Sequence, residues 1–218
     1  MLGKSIASNS VLLGIFALIT AGVLAGTKLA TNDRIAAAER AAAQKALLQI
    51  VPLERHNNDI LVDTHPIDAK YWAELGLKNG GDINLARDQG QIIAAIIPAI
   101  APDGYSGNIG MMIGVNIDGT LAGVRVLTHT ETPGLGDKVD LKKSDWVLSF
   151  NGKSLSYPRL DGWAVKKDGG VFDGFTGATI TPRAVVQAVK RTLQFFDKIK
   201  PTLLKPKVVT ANALEAEQ

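Results

Sequence analysis

The stretch IGMMIGVNIDGTLAGVRVLTH, residues 109–129, decides the fold of this chain. It contains two runs rich in isoleucine, valine, leucine and methionine, joined at Asp118-Gly119. Asp-Gly favours a tight hairpin turn, because glycine adopts positive φ at little steric cost. The pattern therefore predicts two antiparallel strands, residues 109–117 and 121–129.

Other strands are predicted on both sides of this hairpin. The apolar run at residues 91–97 is too short to cross a membrane and predicts a buried strand that ends at Pro98. Residues 146–150 alternate in polarity and predict another strand, and residues 163–165 predict a weaker one. Residues 78–90 are rich in turn-forming residues and predict a loop.

Helices are predicted before and after the strands. Residues 68–76 form a short helical pattern closed by glycine. After Pro182, apolar residues recur at helical spacing to about Lys198, and Thr181 is a suitable N-cap for this helix. Strands followed by a terminal helix predict an α+β domain with a twisted antiparallel sheet and packed helices.

The N-terminal part carries a membrane signal. Residues 6–26 have no charged side chain and are long enough to span a bilayer, although a cleaved signal peptide is the competing interpretation. Residues 31–50 predict a polar, alanine-rich helix with Thr31 or Asn32 as its cap. The predicted division of the chain is a short N-terminal segment (1–5), a transmembrane helix (6–26), a helical stalk and lead-in (27–90), a cofactor domain (91–200) and a solvated tail (201–218).

Composition excludes several function classes. The net charge of +3 is small and the basic residues are scattered, so nucleic acid is not expected as a partner. The chain has no cysteine, which excludes disulfides, thiolate catalysis and cysteine-ligated clusters. Its three histidines lack a ligand partner at helical spacing, so no metal site is predicted. No catalytic residue is predicted either, because the sequence lacks a nucleophile elbow and a Walker loop.

Two loops carry the candidate chemistry. Residues 130–136 (TETPGLG) follow the hairpin directly, and Pro133-Gly134 within them favours a tight turn. Residues 173–182 (DGFTGATITP) combine small residues with threonines and run into the last helix. A helix N-terminus stabilises negative charge, so the second loop lies where a phosphate would be favoured.

Together with GYSG at residues 104–107 and KKDGG at residues 166–170, these loops resemble a known flavin-binding domain. It is shared by the G subunit of Rnf (Rsx)-type electron transport complexes and the C subunit of sodium-pumping quinone reductases. The resemblance extends over the N-terminal anchor and almost all of residues 105–196. It implies FMN attached covalently, as a phosphoester between its phosphate and a threonine hydroxyl.

The resemblance also assigns the cofactor-binding residues. Thr179, the last threonine of the motif, would carry the FMN, and a magnesium-dependent flavin transferase would deliver it. Glu131, Thr132 and Leu135 would contact the flavin ring, and Lys166 would approach the phosphate or the ring, although a solvated lysine is an equal alternative. The remaining residues assigned by the motif are Asp173, Thr176, Gly177 and Ala178.

The implied function is that of an electron carrier rather than a stand-alone enzyme. The resemblance implies a single-pass protein of the bacterial inner (cytoplasmic) membrane, with its flavin domain on the periplasmic side and the other subunits of the complex as partners. The complex would act as a ferredoxin:NAD⁺ oxidoreductase coupled to ion translocation, or would keep a redox-sensing regulator reduced. The flanking charges alone lean towards a cytoplasmic domain. The alternative from another class is a membrane-tethered periplasmic binding or assembly module without a cofactor.

Overall fold

A computed structural model describes residues 2–204, with side chains from Ile6 onward. The chain begins with helix α1, Leu2–Ile50, and divides into two compact units after Ala42. Within the described residues, α1 is the one helix long and apolar enough to cross a membrane. The predicted cap at Thr31 or Asn32 is wrong, because α1 continues through both, and the Thr31 hydroxyl donates to the Thr27 carbonyl oxygen at 2.8 Å.

The second unit is an α+β domain built on a five-stranded antiparallel sheet, as predicted. Every strand pairs with its neighbour in sequence, and the predicted hairpin is confirmed by the pairing of Ile113 with Val124 and of Val115 with Leu121. Gly119 has a φ of 92° in the turn, the conformation for which Asp-Gly is suited. The strands are β1 (Thr64–Pro66), β2 (Asp82–Asp88), β3 (Gln91–Ala101), β4 (Ile109–Asn116) and β5 (Leu121–Thr128).

Strand β2 shows that the predicted loop at residues 78–90 is wrong. Its inward side chains, Ile83 and Leu85, are 1% and 4% exposed. Between and around them stand aspartates and an asparagine, which have low strand propensity and hide the alternation in the sequence. The sheet therefore begins at Thr64, whereas the cofactor domain was predicted to begin at residue 91.

Pro98 does not end strand β3, which continues to Ala101. The Ile100 N–H donates to the Leu75 carbonyl oxygen at 2.8 Å, so it faces the edge opposite β4. Backbone direction repeats every second residue in a strand, so the nitrogen of Pro98 faces the same edge. Its missing N–H removes no hydrogen bond from the β3–β4 ladder, and proline is tolerated at such a position.

Helix α2, Ile180–Leu203, covers the inner face of the sheet. It begins earlier than predicted, with Thr179 rather than Thr181 at the N-cap position. It also ends later than predicted, because Leu203 is buried against the core and holds the last turn in place. The predicted tail is therefore helical at residues 201–203, and residues 205–218 lie outside the described residues.

The predicted strand at residues 146–150 is wrong, because this segment is a 3-10 helix, Asp145–Phe150. The Ser144 hydroxyl oxygen caps it by accepting from the Trp146 N–H at 3.2 Å. Trp146 and Phe150 then meet edge to face with ring centroids 5.2 Å apart. The weak strand predicted at residues 163–165 is reduced to a single bridge between Val165 and Phe172.

The outer face of the sheet is covered by the end of α1. Leu47, Ile50 and Val51 form a second apolar cluster there with side chains from β2 and β3. Gly114 and Gly123 pair directly across β4 and β5, and a Cβ at Gly114 would lie 2.1 Å from Cγ2 of Ile50. The two glycines thus leave a space that the Ile50 side chain fills, called the socket below.

Candidate functional site

The two predicted loops meet at a cleft of about 310 Å³ beside the start of α2. Its lining includes Tyr105, Glu131, Thr132, Leu135, Gly136 and residues 177–181. The cleft is within the lower range of small-molecule pockets. A larger groove of about 1000 Å³, lined by β1 to β3 and the end of α2, contains none of the predicted site residues among its described lining.

A tight turn brings one loop against the other. The Ala178 N–H donates to the Phe175 carbonyl oxygen at 3.1 Å, which closes a turn over Thr176 and Gly177. Gly177 has a φ of 82°, a conformation that side chains rarely adopt. A Cβ at Gly177 would lie 3.3 Å from Cδ2 of Leu135, so the glycine also permits close contact between the loops.

Thr179 lies between the turn and α2 and lines the cleft. It occupies the N-cap position, yet its side chain forms no capping hydrogen bond, and no hydrogen bond of its hydroxyl is found among the described residues. The first turn of a helix leaves backbone N–H groups unpaired, and they give this end of α2 a partial positive charge. Thr176, by contrast, is exposed on the turn and is not among the described lining residues.

Glu131 holds the cleft together from within. It is 4% exposed, and its two carboxylate oxygens have different partners. Oε1 accepts from the Ser106 N–H at 3.0 Å, and Oε2 accepts a short hydrogen bond from the fully buried Thr181 hydroxyl. Glu131 thus joins the loop around Ser106 to the first turn of α2, two segments far apart in sequence.

Close packing around Glu131 explains a glycine in the motif. A Cβ at Gly136 would lie 2.8 Å from Oε2 of Glu131 and 2.9 Å from Oγ1 of Thr181. Any side chain at this position would therefore separate the two groups. Residue-level prediction missed Gly136, Tyr105, Ile180 and Thr181 as lining residues, although the first two lie in motifs that carried the resemblance.

Lys166 and Asp173 form an ion pair with each other. Nζ of Lys166 and Oδ1 of Asp173 are 2.6 Å apart, and both side chains are more than half exposed. Neither is among the described residues that line the cleft. The Asp173 carbonyl oxygen accepts from Nε1 of Trp146 at 2.8 Å, which fixes the start of the loop of residues 173–179 on the aromatic core.

A second ion pair lies on the first turn of α2. Nε and Nη2 of Arg183 donate to the two carboxylate oxygens of Asp168 at 2.5 and 2.6 Å. Hydrogen bonding to this guanidinium holds the pKa of Asp168 below its usual range, and the same contact raises the pKa of Arg183. The pair ties the loop of residues 166–170 to α2.

Comparison with known proteins identifies this arrangement. The sequence model of the FMN-binding domain matches residues 104–194, which include the hairpin, both loops and much of α2. Residues 104–194 therefore form a domain of the FMN-binding class. A second family model, the RnfG N-terminal region, matches residues 1–50.

The chain has relatives that match it over most of its length. It is 48% identical over 207 residues to the G subunit of the ion-translocating oxidoreductase complex of Pseudomonas aeruginosa (strain UCBPP-PA14), covering 93% of this chain and 94% of that protein. It is 51% identical over 195 residues to the corresponding protein of Shewanella amazonensis, covering 88% of each. The chain belongs to the family of G subunits of ion-translocating oxidoreductase complexes.

The chain is also similar to the crystal structure of Shewanella oneidensis NqrC. It matches with a TM-score of 0.46 and 27% sequence identity, over 58% of this chain and 62% of that chain.

Proposed function

We propose that this chain is a membrane-anchored flavoprotein that relays electrons within an ion-translocating oxidoreductase complex, carrying FMN as a phosphoester on Thr179. The observation that carries the proposal is the position of Thr179, which lines a cleft at the N-terminus of α2 and whose hydroxyl makes no hydrogen bond among the described residues. The family match to an FMN-binding domain over residues 104–194 supports FMN as the ligand. When bound, FMN supplies reversible electron transfer, and the protein supplies its position and surroundings.

The residues around Thr179 fit a phosphate. The start of α2 offers unpaired N–H groups and a partial positive charge, which together stabilise an anion. A threonine hydroxyl used as a helix cap would be engaged in a hydrogen bond to the backbone. Thr179 makes no such bond within the described residues, so its oxygen is available for esterification.

The opposite wall of the cleft fits a flat, largely apolar ring. Leu135 is 41% exposed and faces the turn that contains Gly177. Thr132 is also exposed and offers a hydroxyl group to a ring carbonyl or nitrogen. Glu131 is not assigned to hydrogen bonding with the ring, because both of its carboxylate oxygens already accept hydrogen bonds from the protein. Its role is to maintain the shape of the cleft.

The attachment requires an enzyme, since a threonine hydroxyl has no nucleophilic strength of its own at neutral pH. A flavin transferase would approach from the exposed side of residues 173–179. The exposed ion pair of Lys166 and Asp173 lies at the start of this segment, where it would be accessible for recognition by the transferase. This role for the pair accounts for a motif residue, Asp173, that is not among the described lining residues of the cleft.

The apolar N-terminal helix and the family support a membrane location for the chain. We assign residues 6–26 of α1 as a single membrane span, with the flavin domain on the periplasmic side of the bacterial inner membrane. The other subunits of the complex would exchange electrons with the flavin, either between ferredoxin and NAD⁺ or towards a redox-sensing regulator. A covalent bond then prevents loss of the flavin to an open compartment.

In-gel fluorescence tests the proposal directly. The full chain, co-produced with its flavin transferase, should give a fluorescent band on a denaturing gel, and Thr179→Ala should abolish it. Thr176→Ala is the matched control, because Thr176 lies three residues earlier on the same turn, and its band should remain fluorescent. Mass spectrometry of the peptide containing Thr179 should show the added mass of FMN.

The outcomes separate the alternatives. A colourless wild-type band would contradict the flavoprotein proposal and support a cofactor-free tethered module. Fluorescence that survives in Thr179→Ala and disappears in Thr176→Ala would move the attachment point to Thr176.

A further inference from the structure

An exposed aromatic side chain stands on the rim of the cleft. Tyr105 is 66% exposed and lines the cleft together with Leu135 and Ile180, which are 41% and 44% exposed. Single exposed apolar residues are ordinary on protein surfaces, but three large ones around one cleft are a cluster. An exposed apolar cluster beside a cleft is typical of a ligand-binding surface.

The loop that carries Tyr105 is held firmly at both ends of the tyrosine. The Ser106 N–H donates to Oε1 of Glu131 at 3.0 Å, and the Ser106 carbonyl oxygen accepts from the Thr130 hydroxyl at 2.7 Å. On the other side, a Cβ at Gly104 would lie 2.2 Å from the Gly107 carbonyl oxygen, so only glycine allows this tight turn. The backbone of Tyr105 is therefore fixed while its ring is exposed.

We infer that Tyr105 covers one face of the flavin ring and shields it from solvent. The inference rests on the proposed function, and it adds a positioning residue that the motif assignment did not include. An aromatic side chain at a fixed backbone position stacks on a flat ring with little loss of conformational entropy. Oε1 of Glu131, which accepts from the Ser106 N–H, thereby helps to fix the position of Tyr105 beside the cleft.

Stacking of a tyrosine on a flavin quenches flavin emission, and this gives a readout independent of electron transfer. The wild-type full chain and Tyr105→Leu are purified with attached FMN, and the emission of the folded protein is divided by the emission of the same sample after denaturation. This ratio removes any difference in flavin content. It should rise at least about twofold in Tyr105→Leu, because an aliphatic side chain does not stack.

Iodide quenching measures the shielding itself. The quenching constant of the attached flavin should rise in Tyr105→Leu and remain at the wild-type value in Tyr105→Phe, which keeps the ring. Tyr157→Leu is the matched control, because Tyr157 is 72% exposed and is not among the described residues that line the cleft. Neither the emission ratio nor the quenching constant should change in this control.

The failure of this inference differs from that of the proposed function. A fluorescent denatured band with identical emission ratio and iodide quenching in the wild type and Tyr105→Leu would overturn the role of Tyr105 alone. A wild-type chain without attached flavin would overturn the attachment to Thr179. The comparison would then be made by titrating free FMN onto the purified chains, where equal dissociation constants for the wild type and Tyr105→Leu would overturn the inference.

Discussion

Glycine creates space in two regions of this domain, and the two spaces are used differently. On the outer face of the sheet, Gly114 and Gly123 form a socket that Ile50 of the same chain fills. At the cleft, Gly136 and Gly177 let Glu131 and Leu135 approach closely, yet the space beside Thr179 stays open. A filled socket contributes stability, whereas an open cleft is available to a ligand. Substitution should therefore affect folding at the first region and flavin loading at the second.

The largest effect is expected at the filled socket. Gly114→Val places a branched side chain where Cγ2 of Ile50 already lies, and Ile50 is itself stiff, so overpacking should lower the free energy of unfolding by about 3 kcal/mol. Thermal unfolding of the full chain in detergent measures it. The double variant Gly114→Val with Ile50→Ala should be more stable than the sum of the two single effects predicts. Strict additivity would show that Ile50 does not occupy the socket.

A smaller loss is expected at the wall of the cleft. Glu131→Ala leaves the Ser106 N–H and the buried Thr181 hydroxyl without their partner, which should cost about 2 kcal/mol of unfolding free energy and reduce flavin incorporation. Thr132→Ala, at the exposed neighbouring position, should change stability by less than about 0.5 kcal/mol. Unchanged melting temperature and unchanged in-gel fluorescence in Glu131→Ala would show that this carboxylate does not hold the cleft.

At the open cleft, flavin loading should respond more than stability. Gly177→Ala forces a side chain into positive φ, at a cost of about 1 kcal/mol, and presses its Cβ towards Leu135. In-gel fluorescence per mole of protein should fall. Gly174→Ala serves as the control, because Gly174 lies in the same loop with open space around its Cβ position and no positive φ. Equal fluorescence in the two variants would contradict a constraint at Gly177.

The smallest effect is expected at the ion pair beside the cleft. The carboxylate of Asp168 has a lowered pKa because Arg183 donates to it, so Arg183→Gln should raise that pKa towards the ordinary value of an aspartate. The favourable contact is present above the ordinary aspartate pKa and is lost as pH falls through the lowered one. An NMR titration of the Asp168 carboxyl carbon measures the shift. An unchanged titration midpoint would mean that the pair does not form in solution.

The sequence predicted the parts of the fold that depend on local patterns. Asp118-Gly119 between two β-rich runs indicated the β4–β5 hairpin, because turn chemistry and alternation agree there. Strand β2 escaped prediction because its polar face consists of residues with poor strand propensity. The segment Asp145–Phe150 was predicted as a strand because a short apolar run is compatible with either strand or helix periodicity. Packing of Trp146 on Phe150 favours the helix.

The candidate site was predictable only as far as the motifs extend. The loops at residues 131–136 and 173–179 were found, and the structure brings them together across Leu135 and Gly177. Tyr105 and Thr181 were missed, since an exposed tyrosine or a threonine near a helix start carries no signal by itself. Glu131 accepts hydrogen bonds from Thr181, 50 positions away, and from Ser106, the neighbour of Tyr105, 25 positions away, and no local pattern reveals these contacts.

The order of the strands also determines which part of the domain can fold first during synthesis. Each strand pairs with the one made just before it, so the sheet can be completed as synthesis proceeds from the N-terminus. The cleft cannot be completed in this way, because Glu131 must wait for Thr181, 50 residues later. We expect the proposed flavin transferase to modify the chain only after α2 has been synthesised and has packed against the sheet. Truncated or stalled chains should therefore remain without attached flavin.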